Sequence, residues 1–419
     1  MAKNVSPEIE TFARIKVVGV GGSGGNAVNH MASSKVKGVD FVAVNTDAQD
    51  LQKSLATKKV HIGKNLTRGL GTGMNPELGK KAAEETTEEI QSILKGADMI
   101  FIAGGLGGGT GTGASPVVAR IAREQGALTV AVVTKPFFFE GFQRMQLADQ
   151  GLEELRKEVD AIIVIPNDRL LGNISKETPV KEAFAMCDEV LRQAVEGISD
   201  LITTPGIINV DFADIRSVMQ NAGASLMGIG IAGGENRAVE AAKAAISSPL
   251  LDISVKGARG VLFAIAGNDD LTMYEIQEAA KVIIETIDPQ AKIIIGTIRD
   301  EKLKKGDVKV TVIASDFPEN PTPPTATLFG GVIGSRERSA ATPPPERGRI
   351  YNSLSDTDRP KRADDKDDVH SDQSGPQVLA KDSSAKDPKG EDTDQQSGAQ
   401  GESDDWGSVP AFLRRSRLK

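Results

Sequence analysis

Between residues 15 and 168 the chain alternates short β-branched runs with longer segments whose apolar residues recur every three or four positions. "IKVVGV", "VDFVAVNTD", "ADMIFIAGG", "LTVAVVTKP" and "DAIIVIPND" predict strands, and intervening stretches such as "NPELGKKAAEETTEEIQSILKG" predict helices. This alternation predicts a parallel sheet wrapped by helices. Ligands of such sheets sit beyond the carboxyl ends of the strands, where this chain places Gly, Asn, Asp and Thr residues.

A long helix is expected over "TPVKEAFAMCDEVLRQAVEGISDLITT", with Val180, Phe184, Cys187, Leu191, Ala194, Ile198 and Ile202 forming an apolar stripe. "TPG" at 204–206 breaks it. A second α/β unit follows, with a helix over 212–221, strands at "SLMGIGIAGG", "GVLFAIAG", "AKIIIGTI" and "VKVTVIA", and an end near residue 317. From 318 to 403 Pro, Ser, Asp, Lys and Gln dominate and large apolar residues are few, so a disordered linker is expected. As a flexible coil it would separate its ends by about 50 Å. The last stretch, "DDWGSVPAFLRRSRLK", regains the sole Trp, Phe412 and Leu413 beside basic residues.

Charge and cysteine content narrow the function. A net charge of −8 and scarce aromatics argue against a sequence-independent grip on nucleic acid. The lone Cys187 cannot form an internal disulfide, and "MAKNVSPEIE" lacks the basic-then-apolar order of a secretory signal, so a cytoplasmic protein is expected. No apolar run reaches the length needed to cross a bilayer.

The chemistry gathers in glycine. "GVGGSGGNAV" (19–28) satisfies G-x-G-x-x-G between a strand and a helix, as a dinucleotide fold would, or as a tight turn without ligand would. "GGLGGGTGTGASP" (104–116) places seven glycines in the ten positions before Ala114 and also opens a helix. Glycine lets backbone N–H groups approach an anion, and a helix amino end adds positive potential. Two such sites on one sheet edge suit a triphosphate, and "GLGTGMNPELG" (69–79) is a third candidate. The Walker pattern G-x-x-x-x-G-K-[ST] does not occur.

"GGGTGTG", taken with "VNTDAQ", "PFFFEGFQR", "IPNDRLL" and "NVDFADIR", resembles the FtsZ family of tubulin-like bacterial cell-division GTPases. The likeness runs from about 15 to 317 and returns in "VPAFLRR". It implies an N-terminal extension (1–14), a Rossmann-like GTP-binding domain (15–175), a central helix (176–204), a smaller activation domain (205–317), a linker (318–403) and a partner-binding tail (404–419).

The resemblance also implies roles. Gly22, Ser23, Gly24, Gly25 and Asn26 match the first phosphate loop, and Gly109, Thr110 and Gly111 the second. Glu140 and Arg144 match ribose or phosphate contacts; Asn167, Phe184 and Asp188 match the guanine pocket. Read without the resemblance, Glu140 and Arg144 form a surface helical pair, Phe184 and Cys187 are core, and Asp188 is a solvated neighbour. Departures from the family pattern occur at Ser23, Thr72, Met74 and "IASDF" (313–317).

Phosphoryl transfer needs charge stabilisation and a positioned water. Glycine loops and a magnesium ion carried mainly on the phosphates would supply the first, and His30, His61 and His370 fall in no catalytic pattern. "NVDFADIR" offers Asn209, Asp211 and Asp214 at a helix opening, where acidic residues also serve as caps. In the family this loop completes the next subunit's site, which implies a head-to-tail homopolymer, hydrolysis switched on by assembly and a division ring at midcell. The tail would meet membrane-tethered division proteins. Two other readings are a nicotinamide-dependent oxidoreductase, using Asp40 or Asp47 on the ribose, and a nucleotide-bound scaffold without turnover.

Overall fold

The computed structural model describes residues 13–172, 177–248, 255, 257–300 and 302–317; the linker and the tail lie outside the described residues, as do the first twelve positions. The first half runs β1 (Ile15–Val20), α1 (Gly21–Ser33), β2 (Val39–Asn45), α2 (Ala48–Lys53), β3 (Lys58–His61), α3 (Lys64–Thr67), α4 (Pro76–Glu85) and α5 (Thr87–Leu94). It continues through β4 (Met99–Gly105), α6 (Thr110–Glu124), β5 (Leu128–Lys135), a 3-10 turn (Phe138–Glu140), α7 (Phe142–Glu158), β6 (Ala161–Pro166) and α8 (Asn167–Leu171). The six strands pair in parallel in the order β3-β2-β1-β4-β5-β6.

Strand composition explains why both faces are covered. In β1, Val17 enters one core while Val18 and Val20 enter the other, and none of them reaches solvent. A strand apolar at successive positions must be buried on both sides, which a parallel sheet between helix layers provides. One layer holds α1 and the central helix; the other holds α4, α5, α6 and α7.

The central helix, α9 (Val180–Thr203), is about 36 Å long at 1.5 Å per residue. It buries Leu191, Ala194, Val195 and Ile198 in a core that also takes Met227, Leu262 and Ile313 from the second sheet. The expected stripe is incomplete at its start, where Val180 is exposed because it precedes the packed region.

The second half comprises α10 (Phe212–Met219), β7 (Gly223–Gly233), α11 (Arg237–Ile246), β8 (Gly260–Gly267), α12 (Met273–Ile284), β9 (Lys292–Arg299) and β10 (Asp307–Ser315). Its strands form a mixed set, antiparallel for β7-β10-β8 and parallel for β8-β9. β7 also pairs with β6 over Gly223–Ser225, making one run of ten strands.

Three local features differ from the sequence expectation. The edge strand β3 has only four residues and no clear alternation, so pattern alone misses it. The segment read as one helix after Asn75 divides at Thr86 into α4 and α5. The first glycine motif is not a loop before a helix, because α1 begins at Gly21 directly after β1.

Candidate functional site

Two helix amino ends meet at the carboxyl edge of the parallel sheet. α1 starts at Gly21 and α6 at Thr110 after Gly109, and neither has a side-chain cap. The first turn of a helix leaves N–H groups without intrahelical partners, so both ends present donors. Gly21 takes a left-handed φ of +73°, and a β-carbon there would lie 2.9 Å from the Gly111 nitrogen. Glycine at this position therefore lets the two ends touch.

The expected phosphate residues divide by what surrounds them. A β-carbon on Gly24 would fall 2.5 Å from the Ala103 oxygen, and one on Gly111 2.7 Å from the Gly105 oxygen, so packing alone requires these glycines. Gly25 and Gly108 face open space, with nothing within 4 Å of the same position. Ser23 is exposed, lying over Gly105, and Gly22 lies against the Asp50 carboxylate. Asn26 is half-buried and borders a small cavity with Gly22, Gly25, Asn29 and Asp50.

Thr110 Oγ1 lies 2.8 Å from Thr46 Oγ1 and 3.3 Å from Thr72 Oγ1, giving a buried hydroxyl cluster behind the α6 end. Sequence reasoning did not assign Thr46 a role. Its place in "VNTD", just past a strand's carboxyl end, was the available signal.

The site continues onto the loop after β5. Glu140 ends the 3-10 turn rather than sharing a helix with Arg144, so the surface helical pair is not what forms. Its carboxylate is almost fully buried, accepts the Phe137 N–H at 2.9 Å, and meets Arg144 Nε at 3.2 Å. Arg144 also lies against Gly107, whose left-handed φ of +93° and 2.7 Å approach to the Arg144 oxygen exclude a side chain. Phe137 packs edge-on to Phe184 at 5.4 Å and stacks with Phe139 at 5.1 Å. Asp168, which sequence reasoning passed over, accepts the Phe138 N–H at 2.8 Å and anchors this aromatic loop.

Asn167 and Asp188 are the polar groups expected at the base, and Asn167 is short of a partner. Asn167 opens α8, is buried, and its Oδ1 accepts no hydrogen bond. Burial pushes the Asp188 carboxyl up to about 7, with His30 acting in the opposite sense. Nearby, burial and the charges of Asp188 and Glu140 push the Cys187 thiol up to about 12, which leaves it inert as a nucleophile. A base edge carrying N–H donors would satisfy both Asn167 and Asp188.

The acidic loop lies at the opposite end of the strands. Ala13, just before β1, lines a cavity with Asn209, Asp211 and Phe212. Arg216 of α10 donates to the Asp98 and Gly126 oxygens at 3.5 and 3.3 Å, immediately before β4 and near the start of β5. All of these are amino ends. Asp211 caps α10 by accepting the Ala213 N–H at 3.3 Å, and Asp214 returns to the Asp211 N–H at 3.4 Å. Both carboxylates stay exposed, as does Asn209, whose Oδ1 accepts the Gly206 N–H at 2.7 Å. Thr297 pins the loop to β9 through two bonds with Ile208, of 2.7 and 3.0 Å.

The oxidoreductase reading loses its ribose contacts in this arrangement. Asp40 pairs with Lys16 near the amino end of the strands, and Asp47 is occupied capping α2.

Comparison with known proteins agrees with the architecture. The Tubulin/FtsZ family GTPase domain matches residues 14–175, and the FtsZ family C-terminal domain matches 223–318. An empty FtsZ dimer from M. jannaschii is 48% identical with a TM-score of 0.70, covering 73% of this chain and 89% of that one. CetZ2 from Haloferax volcanii, solved as a GTPγS-bound protofilament, is 25% identical with a TM-score of 0.62, covering 72% and 92%. CetZ1 from the same organism, at 23% identity and a TM-score of 0.64 over 74% and 96% of the two chains, shares the fold. A glycine-lined pair of helix ends within a matched GTPase domain, joined by a central helix to a matched FtsZ C-terminal domain, leads to one assignment: the chain belongs to the Tubulin/FtsZ family, on its FtsZ side, as a GTP-hydrolysing, filament-forming protein.

Proposed function

We propose that the protein hydrolyses GTP only where the glycine end of one subunit meets the acidic loop of the next in a head-to-tail filament, and that such filaments form the cytokinetic ring scaffold at the bacterial division site. One observation carries the reading. The glycine loops and Asp211 flank opposite ends of the same parallel strands, separated by at least the roughly 20 Å length of a six-residue strand. They cannot meet within one chain. A heterologous contact of this kind does not close on itself and generates a filament.

Gly22, Ser23, Gly24, Gly25 and Asn26, with Gly109, Thr110 and Gly111, would hold the phosphates by backbone donation. Glu140 and Arg144 would lie by the ribose or phosphate, and Asn167, Phe184 and Asp188 would take the guanine. Asp211 and Asp214 would polarise the attacking water across the contact, supported by Asn209. With amides and hydroxyls rather than a carboxylate cluster at the phosphate end, magnesium would be held mainly through phosphate oxygens and water. Exposed Leu70 and Phe138 near the glycine end, and Ile207 in the acidic loop, offer apolar area to the two halves of the contact.

The domain limits given above serve as working boundaries for this scheme. The 48% identity to FtsZ against 25% to CetZ2 supports an FtsZ-like filament, and the cytoplasmic division-ring role is proposed on that basis. The relatives themselves were solved as a dimer and a protofilament.

Phosphate release per subunit should rise with protein concentration, and Asp211→Ala should bind GTP normally yet turn over roughly a hundredfold more slowly or worse. Concentration-independent release, or normal turnover in Asp211→Ala, would remove the split site.

A further inference from the structure

The turn at Phe138–Glu140 has little within itself to hold its shape. It is a single 3-10 turn, Phe138 and Phe139 are exposed, and Gly141 leaves it at a φ of +102° with nothing within 4 Å of a β-carbon position. Its fixed point is Phe137, a fully buried ring that stacks with Phe139 at 5.1 Å and meets Phe184 edge-on at 5.4 Å. Burial sets how deep that ring lies but leaves the turn free to pivot about it. Two carboxylates remove this freedom by accepting consecutive N–H groups, Glu140 that of Phe137 at 2.9 Å and Asp168 that of Phe138 at 2.8 Å. Asp168 belongs to another element, α8, where it directly follows Asn167.

We infer that Asp168 is a positioning residue for the base pocket: by fixing the turn it fixes Phe137, and through the edge-on contact it sets the Phe184 ring in place for a guanine base. The inference rests on the proposed guanine-pocket reading of Asn167, Phe184 and Asp188. Asn167 sits on α8 and Phe184 on α9, so their spacing is no property of a single helix. The Asp168 bond ties the segment that carries Asn167 to the turn that backs Phe184, which brings these two proposed base contacts under one constraint. Phe184 is only half-buried, and a ring already held for stacking costs less entropy at binding than one that must first be ordered. A hydrogen bond to a carboxylate is stronger than one between neutral groups, yet this one lies at the surface, so its loss should cost a modest factor in affinity rather than the fold.

The test uses the full chain, stripped of nucleotide and dilute enough to stay unassembled, with GDP affinity measured for wild type, Asp168→Ala, Asp168→Asn, Phe184→Leu and the double variant Asp168→Ala with Phe184→Leu. Asp168→Ala should weaken GDP by about threefold to tenfold, the loss of one modest hydrogen bond. Asp168→Asn should stay within about twofold of wild type, because its amide oxygen can still accept the Phe138 N–H. In the Phe184→Leu background, Asp168→Ala should cost less than about twofold more, since the ring it positions is gone; a merely structural loss would add in full. Unchanged affinity in Asp168→Ala, no rescue by asparagine, or additive losses in the double variant would overturn the inference while leaving the pocket standing. Phe184→Leu that binds GDP as tightly as wild type, or wild type that binds no GDP, would overturn the reading of the pocket, and this inference with it.

Discussion

Asp188 links burial to chemistry at the residue scale. Its carboxyl, raised to about 7 by burial, is held closer to neutral in the empty protein than any exposed aspartate would be. A folded-state value above the unfolded one means that the neutral form stabilises the fold, and that this contribution is lost as pH rises through about 7. Asp188→Asn should therefore raise the melting temperature of the empty protein at pH 8, and no change would remove the burial argument. In the proposed guanine pocket, nucleotide binding carries the opposite sign. Base N–H donors favour the ionised form, so GDP affinity should be greatest above pH 7 and fall as pH drops through it, by up to about tenfold per unit. Titration of the dissociation constant checks this, and Asp188→Asn should bind weakly with a flat profile.

At the scale of elements, glycine has two separable uses in α1 and α6, and substitution distinguishes them. Gly113 of α6 packs so tightly on α4 that an added β-carbon would lie 1.9 Å from the Pro76 oxygen. Gly113→Ala should destabilise the fold by about 1–3 kcal/mol, since backbone must shift to admit the methyl group. Gly25 sits in α1 with empty space before it. Gly25→Ala should leave the empty protein as stable or up to ~1 kcal/mol more so, because alanine is the better helix former. The same methyl group would occupy the space a phosphate needs. Thermal melts paired with GDP titrations should thus separate the variants: one loses stability, the other loses affinity. If Gly25→Ala binds nucleotide normally, α1 does not lie against it.

Across the whole molecule, the proposed function depends on two ends being kept apart. α9 carries Phe184 and Asp188 near one end and reaches Thr203 at the other, where Thr203 packs against Gly38 just before β2. Because its apolar face enters one core with both sheets, the two ends move as parts of a packed body rather than as beads on a string. The tail adds a further scale, since 404–419 would recruit filaments to partners on the membrane through the 318–403 linker. A chain ending at residue 403 should still assemble in a GTP-dependent light-scattering assay and lose recruitment to the membrane-tethered division proteins; unchanged recruitment would defeat that role.

The chain's own order of residues was enough to establish the alternation of strands and helices, the central helix and the grouping of glycines at strand ends, because periodicity and backbone freedom are local properties. It also marked Asp211 and Asp214 as helix-opening carboxylates, and the capping bonds they make follow from three-residue spacing. Other features depend on contacts between residues far apart in the chain, which no local pattern encodes. These include the β6–β7 pairing that makes ten strands continuous, the burial of Glu140 against Arg144 and Phe137, the hydroxyl cluster of Thr46, Thr72 and Thr110, and the orphaned Asn167 oxygen. The decisive case is the distance between the acidic loop and the glycine ends. Sequence left open whether they meet within one chain; only the packing of α10 under the amino ends of the strands separated them.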